Sequence, residues 1–237
     1  MFKKKEIGFL ALISLIIGFL LSFKELNDYS LEVLKTYLRN TGFALITVLI
    51  SMTIAKLAAY RFGCDAEFKL WTIDRLGFHH AAHLEKPMPA WILFPLGFVF
   101  LSLGYIKWLA LYVFDVSNVS RELKGRPYSK VSEWEVALIA FAGVLANIAL
   151  SIISRSMGWN DLAVLSIWFA FFNILPFSEL GGMKIFQGSI MLWIFSAVAT
   201  SVILILINIL SPITTLISAL IFAIALVVAW FNFFERR

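Results

Sequence analysis

All three histidines of the chain lie close together, at positions 79, 80 and 83. His79 and His83 have the i, i+4 spacing at which two imidazoles on one helix face hold a zinc ion, and Glu85 is nearby. Pro87 limits the length of any helix here, and His80 stands where a catalytic glutamate would be needed. The segment favours a polar loop, with a metal site at His79 and His83 as the alternative.

Two other segments have the spacing of a hydrolytic metal site without its ligands. In an H-E-x-x-H helix, two histidines hold zinc and the glutamate acts as general base for the bound water. Ser51 and Ala55 have the same separation, and Met52 follows the first of them. The second segment begins at Asn173 and ends at Gly182.

These segments resemble the signature regions of the site-2 protease family of intramembrane zinc proteases. The family's regions read H-E-x-x-H and N-x-x-P-x-x-x-L-D-G. Ala59 and Gly63 fix the register of the first region, because the family has Ala and Gly eight and twelve residues after its first histidine. A third segment, 142–147, resembles the family's A-G-P-L-x-N helix. The resemblance covers roughly residues 42–190.

The resemblance implies the fold, but the residues at the ligand positions argue against the activity. Ser51 and Ala55 take the two histidine positions, Met52 the glutamate position and Gly181 the aspartate position. None of these side chains binds zinc well or accepts a proton from water at neutral pH. We therefore expect no intact catalytic residue and no bound zinc, although zinc is the family's cofactor.

Four positions of the second region do match the family, namely Asn173, Pro176, Leu180 and Gly182. We interpret Asn173, Pro176 and Gly182 as candidates for binding substrate. Proline breaks a helix and frees backbone groups, and an extended client segment can pair with such groups as an added strand.

Composition identifies an integral membrane protein with a single membrane domain, residues 1–237. Hydrophobic residues make up 61% of the chain and charged residues 15%, which is too apolar for a soluble domain. The Lys and Arg residues lie between apolar runs rather than on one basic face, so nucleic-acid binding is not expected. A single cysteine, Cys64, excludes an internal disulfide.

Apolar runs predict an all-α polytopic protein with about six transmembrane helices. A membrane helix needs roughly 20 apolar residues. The runs are 6–23, 42–60, 135–154, 161–176, 189–210 and 212–234. The first is interpreted as a signal-anchor helix, and 189–234 as two C-terminal helices.

Two segments depart from this helical pattern. Run 90–114 contains Pro95 and Gly104, which favour a re-entrant or interfacial hairpin over a seventh crossing. Segment 65–73 alternates apolar and polar residues and predicts a short cytoplasmic β element.

The distribution of Lys and Arg predicts the orientation. Lys3, Lys4 and Lys5 precede the first apolar run and place the N-terminus in the cytoplasm. Lys56 lies near one end of run 42–60, where snorkelling to the interface is expected; a contact with Glu179 is the alternative.

Three functions follow from these observations. The first is a catalytically inactive site-2-protease-like protein that binds or sequesters transmembrane segments of client proteins in the lipid bilayer. The second is an active zinc protease with an atypical site at His79 and His83, completed by Glu85 or Glu179. The third is a small membrane transporter, which the scarcity of charged residues at the middle of the helices disfavours.

Overall fold

A computed structural model describes residues 2–24, 31–75, 83–118 and 131–235. Its helices are α1 (Lys4–Ser22), α2 (Leu31–Arg61), α3 (Ala90–Leu101), α4 (Glu133–Ser156), α5 (Asn160–Ile174), α6 (Gly181–Gly188), α7 (Ile190–Leu206) and α8 (Pro212–Trp230). Its strands are β1 (Cys64–Leu70), β2 (Ile73–Arg75), β3 (His83–Met88) and β4 (Tyr112–Asn118). A π-helical turn, Phe231–Glu235, extends α8.

The chain is a largely helical membrane protein, and each of the six apolar runs contains a helix. Four helices of the described residues are long and apolar enough to cross a bilayer, namely α1, α2, α4 and α8. Helices α5 and α7 are apolar but shorter, at 15 and 17 residues. At a rise of about 1.5 Å per residue, they extend about 22–26 Å, against a hydrocarbon core of about 30 Å.

Run 90–114 does not form one continuous helix. Helix α3 ends at Leu101, and the turn that follows contains Leu103 and Gly104, both with positive φ. The chain then becomes extended and forms β4. A glycine relieves the strain of a positive φ at position 104, where it favours a break in the helix.

The alternating segment forms β1, close to the predicted bounds. Strand β1 pairs antiparallel with β4, and β2 pairs antiparallel with β3. Cys64, Ala66 and Phe68 of β1 are buried, while the residues between them are more exposed. The pairing partner β4 comes from the second half of an apolar run, where no strand was expected.

The helices pack around α4, which contacts α2, α5 and α6. The capping box at its N-terminus explains where α4 begins: Ser132 Oγ accepts from Glu135 N–H at 3.2 Å, and Glu135 Oε2 accepts from Ser132 N–H at 2.9 Å. Helices α1 and α2 pack along each other, with Gly18 against Thr41.

A buried ion pair joins α1, α2 and β1. Lys56 Nζ lies 2.9 Å from Glu6 Oε1, and the side chains are 10% and 1% exposed. Lys56 also donates to Ala66 O at 2.7 Å, and Glu6 Oε1 accepts from Phe68 N–H at 3.0 Å. Lys56 therefore pairs with Glu6. The alternative contact with Glu179 is wrong, because the Glu179 side chain is exposed and Lys56 is held elsewhere.

Candidate functional site

Residues from three distant segments of the chain meet around one small cavity. Ser51 and Ala55 reach it from one face of α2, and Gly181 from the start of α6. Asn173 reaches it from the end of α5. The cavity has a volume of about 20 Å³. Three of the four positions that the sequence assigns to lost ligands and base therefore lie together, although 130 residues separate Ser51 from Gly181.

Met52 is the fourth of these positions, and it does not line the cavity. Its side chain is fully buried in the core on another face of α2. In an α-helix, residues four apart share a face whereas adjacent residues do not, which is why Ser51 and Ala55 point together and Met52 does not.

Close packing of α2 on α4 forms one wall of the cavity. A Cβ atom built on Gly143 of α4 would lie 3.3 Å from Ser51 Oγ and 3.7 Å from Ala55 Cβ. The glycine thus lets the two helices approach at the cavity. Ser51 Oγ donates a hydrogen bond to Gly143 O at 3.3 Å, which satisfies the buried hydroxyl.

Tyr112 of β4 fills the space beside Ser51. Its hydroxyl lies 3.0 Å from Ser51 Oγ, and its ring packs against Phe68 and Phe169. Burial raises the pKa of the Tyr112 phenol to about 12, so it remains neutral at physiological pH and is a poor proton acceptor. Sequence reasoning missed Tyr112, because nothing in the apolar run 90–114 indicates that a strand brings it to α2.

Two asparagines add amide groups to the cavity lining. Asn147 Nδ2 donates to Gly143 O at 3.3 Å, and Asn173 Nδ2 donates to Phe169 O at 2.8 Å. Asn147 Oδ1 is buried and has no hydrogen-bond partner. A void of about 20 Å³ has room for about one water molecule, so the lining can accommodate a small polar guest but not a peptide.

The lining does not suit zinc. It contains hydroxyl and amide groups, aromatic rings and small apolar side chains, with no carboxylate, imidazole or thiolate. Catalytic zinc sites use three protein ligands of those kinds. Throughout the described part of the chain, no three His, Cys, Asp or Glu residues cluster in a way that could hold a metal ion.

The alternative histidine site is only partly within the described residues. His79 lies outside them, so the proposed pairing of His79 with His83 cannot be placed. His83 begins strand β3 opposite Arg75, rather than lying on a helix.

The break after α5 is more completely hydrogen-bonded than the sequence suggests. Ile174 O accepts from Trp193 Nε1 at 2.9 Å, and Leu175 O accepts from Phe177 N–H at 2.8 Å. The prediction that Pro176 leaves the nearby backbone groups without partners is therefore wrong for these two carbonyls. Pro176 itself is exposed.

Gly181 and Gly182 begin a helix. Residues 175–180 make the turn after α5, and both glycines belong to α6. A Cβ on Gly182 would overlap the Ile174 carbonyl, whereas one on Gly181 would lie 3.4 Å from Asn173 O. Gly182 thus permits a close backbone contact between α6 and the end of α5.

The two adjacent glycines allow a matched test of this contact. We expect Gly182→Ala to destabilise the fold by about 1–3 kcal/mol, since the methyl group must displace backbone atoms. Gly181→Ala places its methyl group at ordinary contact distance and is expected to change stability much less. Thermal unfolding of both variants in detergent measures the difference. Equal melting temperatures for the two variants would show that the close contact is not required.

Comparison of the chain with protein-family models, with curated proteins and with solved structures finds no match. The resemblance to site-2 proteases therefore rests on the motif residues and their spacing in the sequence.

Proposed function

We propose that this chain is a catalytically inactive, site-2-protease-like membrane protein that binds transmembrane segments of other membrane proteins. One observation carries the proposal. Ser51, Ala55 and Gly181, assigned by sequence to the two histidines and the aspartate of the family's zinc site, all line one cavity. An accidental motif match would have no reason to bring positions 51 and 181 to the same place.

The groups in the cavity support binding rather than hydrolysis. Peptide hydrolysis needs an activated water, and no described residue that lines the cavity is a usual zinc ligand or general base. The Tyr112 hydroxyl and Ser51 hydroxyl satisfy each other at 3.0 Å. The remaining space is far too small for a peptide bond with its neighbouring residues, so a client must bind along the surface.

The outer edge of β4 is the surface that best suits an extended client. Trp71 N–H donates to Leu111 O. Together with the pairing register, this hydrogen bond determines which residues of β1 and β4 turn their backbone groups towards the other strand. Residues 113, 115 and 117 of β4 therefore turn their backbone groups towards β1, and Phe114 and Val116 turn theirs away. No described residue forms a backbone hydrogen bond with Phe114 or Val116 on that outer side. Such an edge pairs readily with another strand.

The outer edge of β1 is closed to the same kind of binding. Glu6 accepts the outward N–H of Phe68, and Lys56 donates to the outward carbonyl of Ala66. These side chains use the backbone groups that a pairing strand would need. Among the described residues, the β4 edge of this sheet therefore offers unpaired backbone groups to a client, whereas Glu6 and Lys56 occupy groups on the β1 edge.

The zinc content of the purified protein tests the proposal that it is catalytically inactive. We expect purified wild-type protein to hold less than about a tenth of an equivalent of zinc, because no described residue set supplies three ligands. A variant with Ser51→His, Ala55→His, Gly181→Asp and Tyr112→Gly places family ligands around the enlarged cavity and should hold about one equivalent. Mass spectrometry of the folded, detergent-solubilised proteins measures both.

The same variant without Gly181→Asp is the matched control, and it should bind zinc more weakly with only two ligands. About one equivalent of zinc in the wild-type protein would contradict the proposal and call for a protease assay. Binding that is independent of Gly181→Asp in a folded variant would contradict the assignment of Gly181 to the third ligand position.

Strand pairing is tested by removing one outward N–H group. Val116→Pro deletes the N–H that points away from β1 and leaves the β1–β4 hydrogen bonds in place, whereas Val116→Ala retains the N–H. A photocrosslinking residue at Phe177, which is 44% exposed beside Trp71, reports client contact. We expect Val116→Pro to reduce crosslinks to membrane-protein segments by about tenfold or more, since several backbone hydrogen bonds are lost. Val116→Ala should leave them unchanged.

Undiminished crosslinking in a folded Val116→Pro variant would exclude pairing along β4. Loss of crosslinking in Pro176→Ala alone would instead place the client at the turn 175–180, the site that the sequence suggests.

For the membrane arrangement we propose six crossings with the N-terminus in the cytoplasm. Lys3, Lys4 and Lys5 support this orientation through the positive-inside rule. Lys3 Nζ lies 2.6 Å from Glu67 Oε2 of β1, so the N-terminus and the β1–β4 sheet share one end of the molecule. The proposed crossings include α5 and α7.

Thiol labelling tests this orientation. Lys5→Cys introduces an exposed thiol, and native Cys64 is 5% exposed and should contribute little background. An impermeant maleimide should label the variant only after the cells are permeabilised. Labelling in intact cells would show that the N-terminus lies outside the cytoplasm, which contradicts the proposed orientation.

A further inference from the structure

Lys184 of α6 reaches the outer edge of β4. Its Nζ lies 4.2 Å from the centre of the Phe114 ring and 3.9 Å from Asp115 Oδ1. Adjacent residues of a strand point to opposite faces of the sheet, so a group that contacts both must pass around one edge of the strand. Strand β1 covers the other edge of β4. The ammonium of Lys184 therefore lies beside the backbone groups of Phe114 that turn away from β1.

This ammonium is mostly buried, yet its donors are not used within the described part of the chain. The Lys184 side chain is 16% exposed, and no described residue accepts a hydrogen bond from its Nζ. Asp115 is closer to another lysine, because its Oδ2 lies 2.5 Å from Lys69 Nζ. Burial lowers the pKa of Lys184, and the carboxylates of Asp115 and Glu179 compensate only in part.

The opposite edge of the sheet has a lysine in a comparable position, and a carboxylate binds it. Lys56 lies beside the ring of Phe68, the β1 residue that pairs with Phe114. Its Nζ is 2.9 Å from Glu6 Oε1. By contrast, no described carboxylate lies within hydrogen-bond distance of Lys184 Nζ. A carboxylate is therefore the group that satisfies a buried lysine at the edge of this sheet.

We propose that the client strand carries an aspartate or glutamate whose carboxylate binds Lys184 beside β4. The inference rests on the proposed strand pairing and specifies the client further, as a membrane-protein segment with an acidic residue in the stretch that pairs with Phe114. The client residue opposite Phe114 points to the same face of the sheet, where Lys184 lies against the ring. A carboxylate at that position replaces hydration that the ammonium has lost through burial.

A second and larger cavity is not part of this site. Its volume is about 680 Å³, and it lies between the end of α1, the first half of α2, the first part of α5 and the segment between α3 and β4. None of Phe114, Asp115 and Lys184 lines it. The effect of a Lys184 variant on client binding therefore does not involve this cavity.

Peptide binding to the full-length protein in detergent tests the proposal. The probes are fluorescein-Thr-Val-Thr-Glu-Thr-Val-Thr-amide and the same peptide with Gln in place of Glu, neither of which has a free terminus. Fluorescence anisotropy measures both affinities. We expect the Glu peptide to bind about fivefold more tightly, since charge-assisted hydrogen bonds are roughly twice as strong as neutral ones.

Two variants of Lys184 separate its charge from its packing. Lys184→Met keeps an apolar stem without the ammonium and should make the two affinities equal, whereas Lys184→Arg keeps the charge and should keep the preference. Lys35→Met is the matched control, because Lys35 is exposed on α2 and pairs with Glu32. It should leave the preference unchanged. A preference for Glu that persists in folded Lys184→Met would overturn the proposal.

Val116→Pro distinguishes failure of this inference from failure of strand pairing. Equal affinities of the wild-type protein for the two peptides, with both peptides lost in Val116→Pro, would overturn the role of Lys184 and leave strand pairing intact. If neither peptide binds the wild-type protein, or if binding is undiminished in folded Val116→Pro, the strand pairing itself is wrong and the inference fails with it.

Discussion

The buried pair of Glu6 and Lys56 is the interaction on which the arrangement of the site depends. A charge removed from water must be paired and hydrogen-bonded, and here each partner also binds a backbone group of β1. The pair thereby fixes β1 against α1 and α2. Because β4 pairs with β1 in a fixed register, the same constraint determines where Tyr112 contacts Ser51. The ion pair is thus less important for its energy than for its geometry.

Under the proposed loss of metal ligands, two physical problems arise at the buried cavity, space and unsatisfied polarity. Ser51, Ala55 and Gly181 are smaller than two imidazoles and a carboxylate, and Tyr112 occupies part of the space beside Ser51. The polar groups that remain mostly bind one another: Ser51 with Tyr112 and Gly143, and Asn173 with Phe169. Buried polar groups are costly when unpaired, so these internal hydrogen bonds stabilise the cavity lining.

Much of the helical framework could be predicted from the sequence, because apolar runs and an alternating strand leave clear local patterns. That Ser51 and Gly181 lie close together could be inferred only from the spacing of the motifs. Three features had no local signal. The strand β4 lies within an apolar run, the partner of Lys56 is 50 residues away in a segment typical of a membrane anchor, and α6 begins at two glycines that resemble a turn. Each depends on contacts between distant residues, which a single sequence does not record.

The two cavities differ in size, and that difference limits what each can do. About 20 Å³ beside Ser51 is enough for a water molecule, whereas about 680 Å³ near Lys24 is within the usual range for small-molecule sites. The client peptide that we propose fits in neither cavity as an interior guest, so its binding would have to use backbone groups at the surface. The outward side of β4 offers such groups, and the opposite edge of the sheet is closed by Glu6 and Lys56. The ion pair that builds the sheet therefore also leaves one edge for a partner strand.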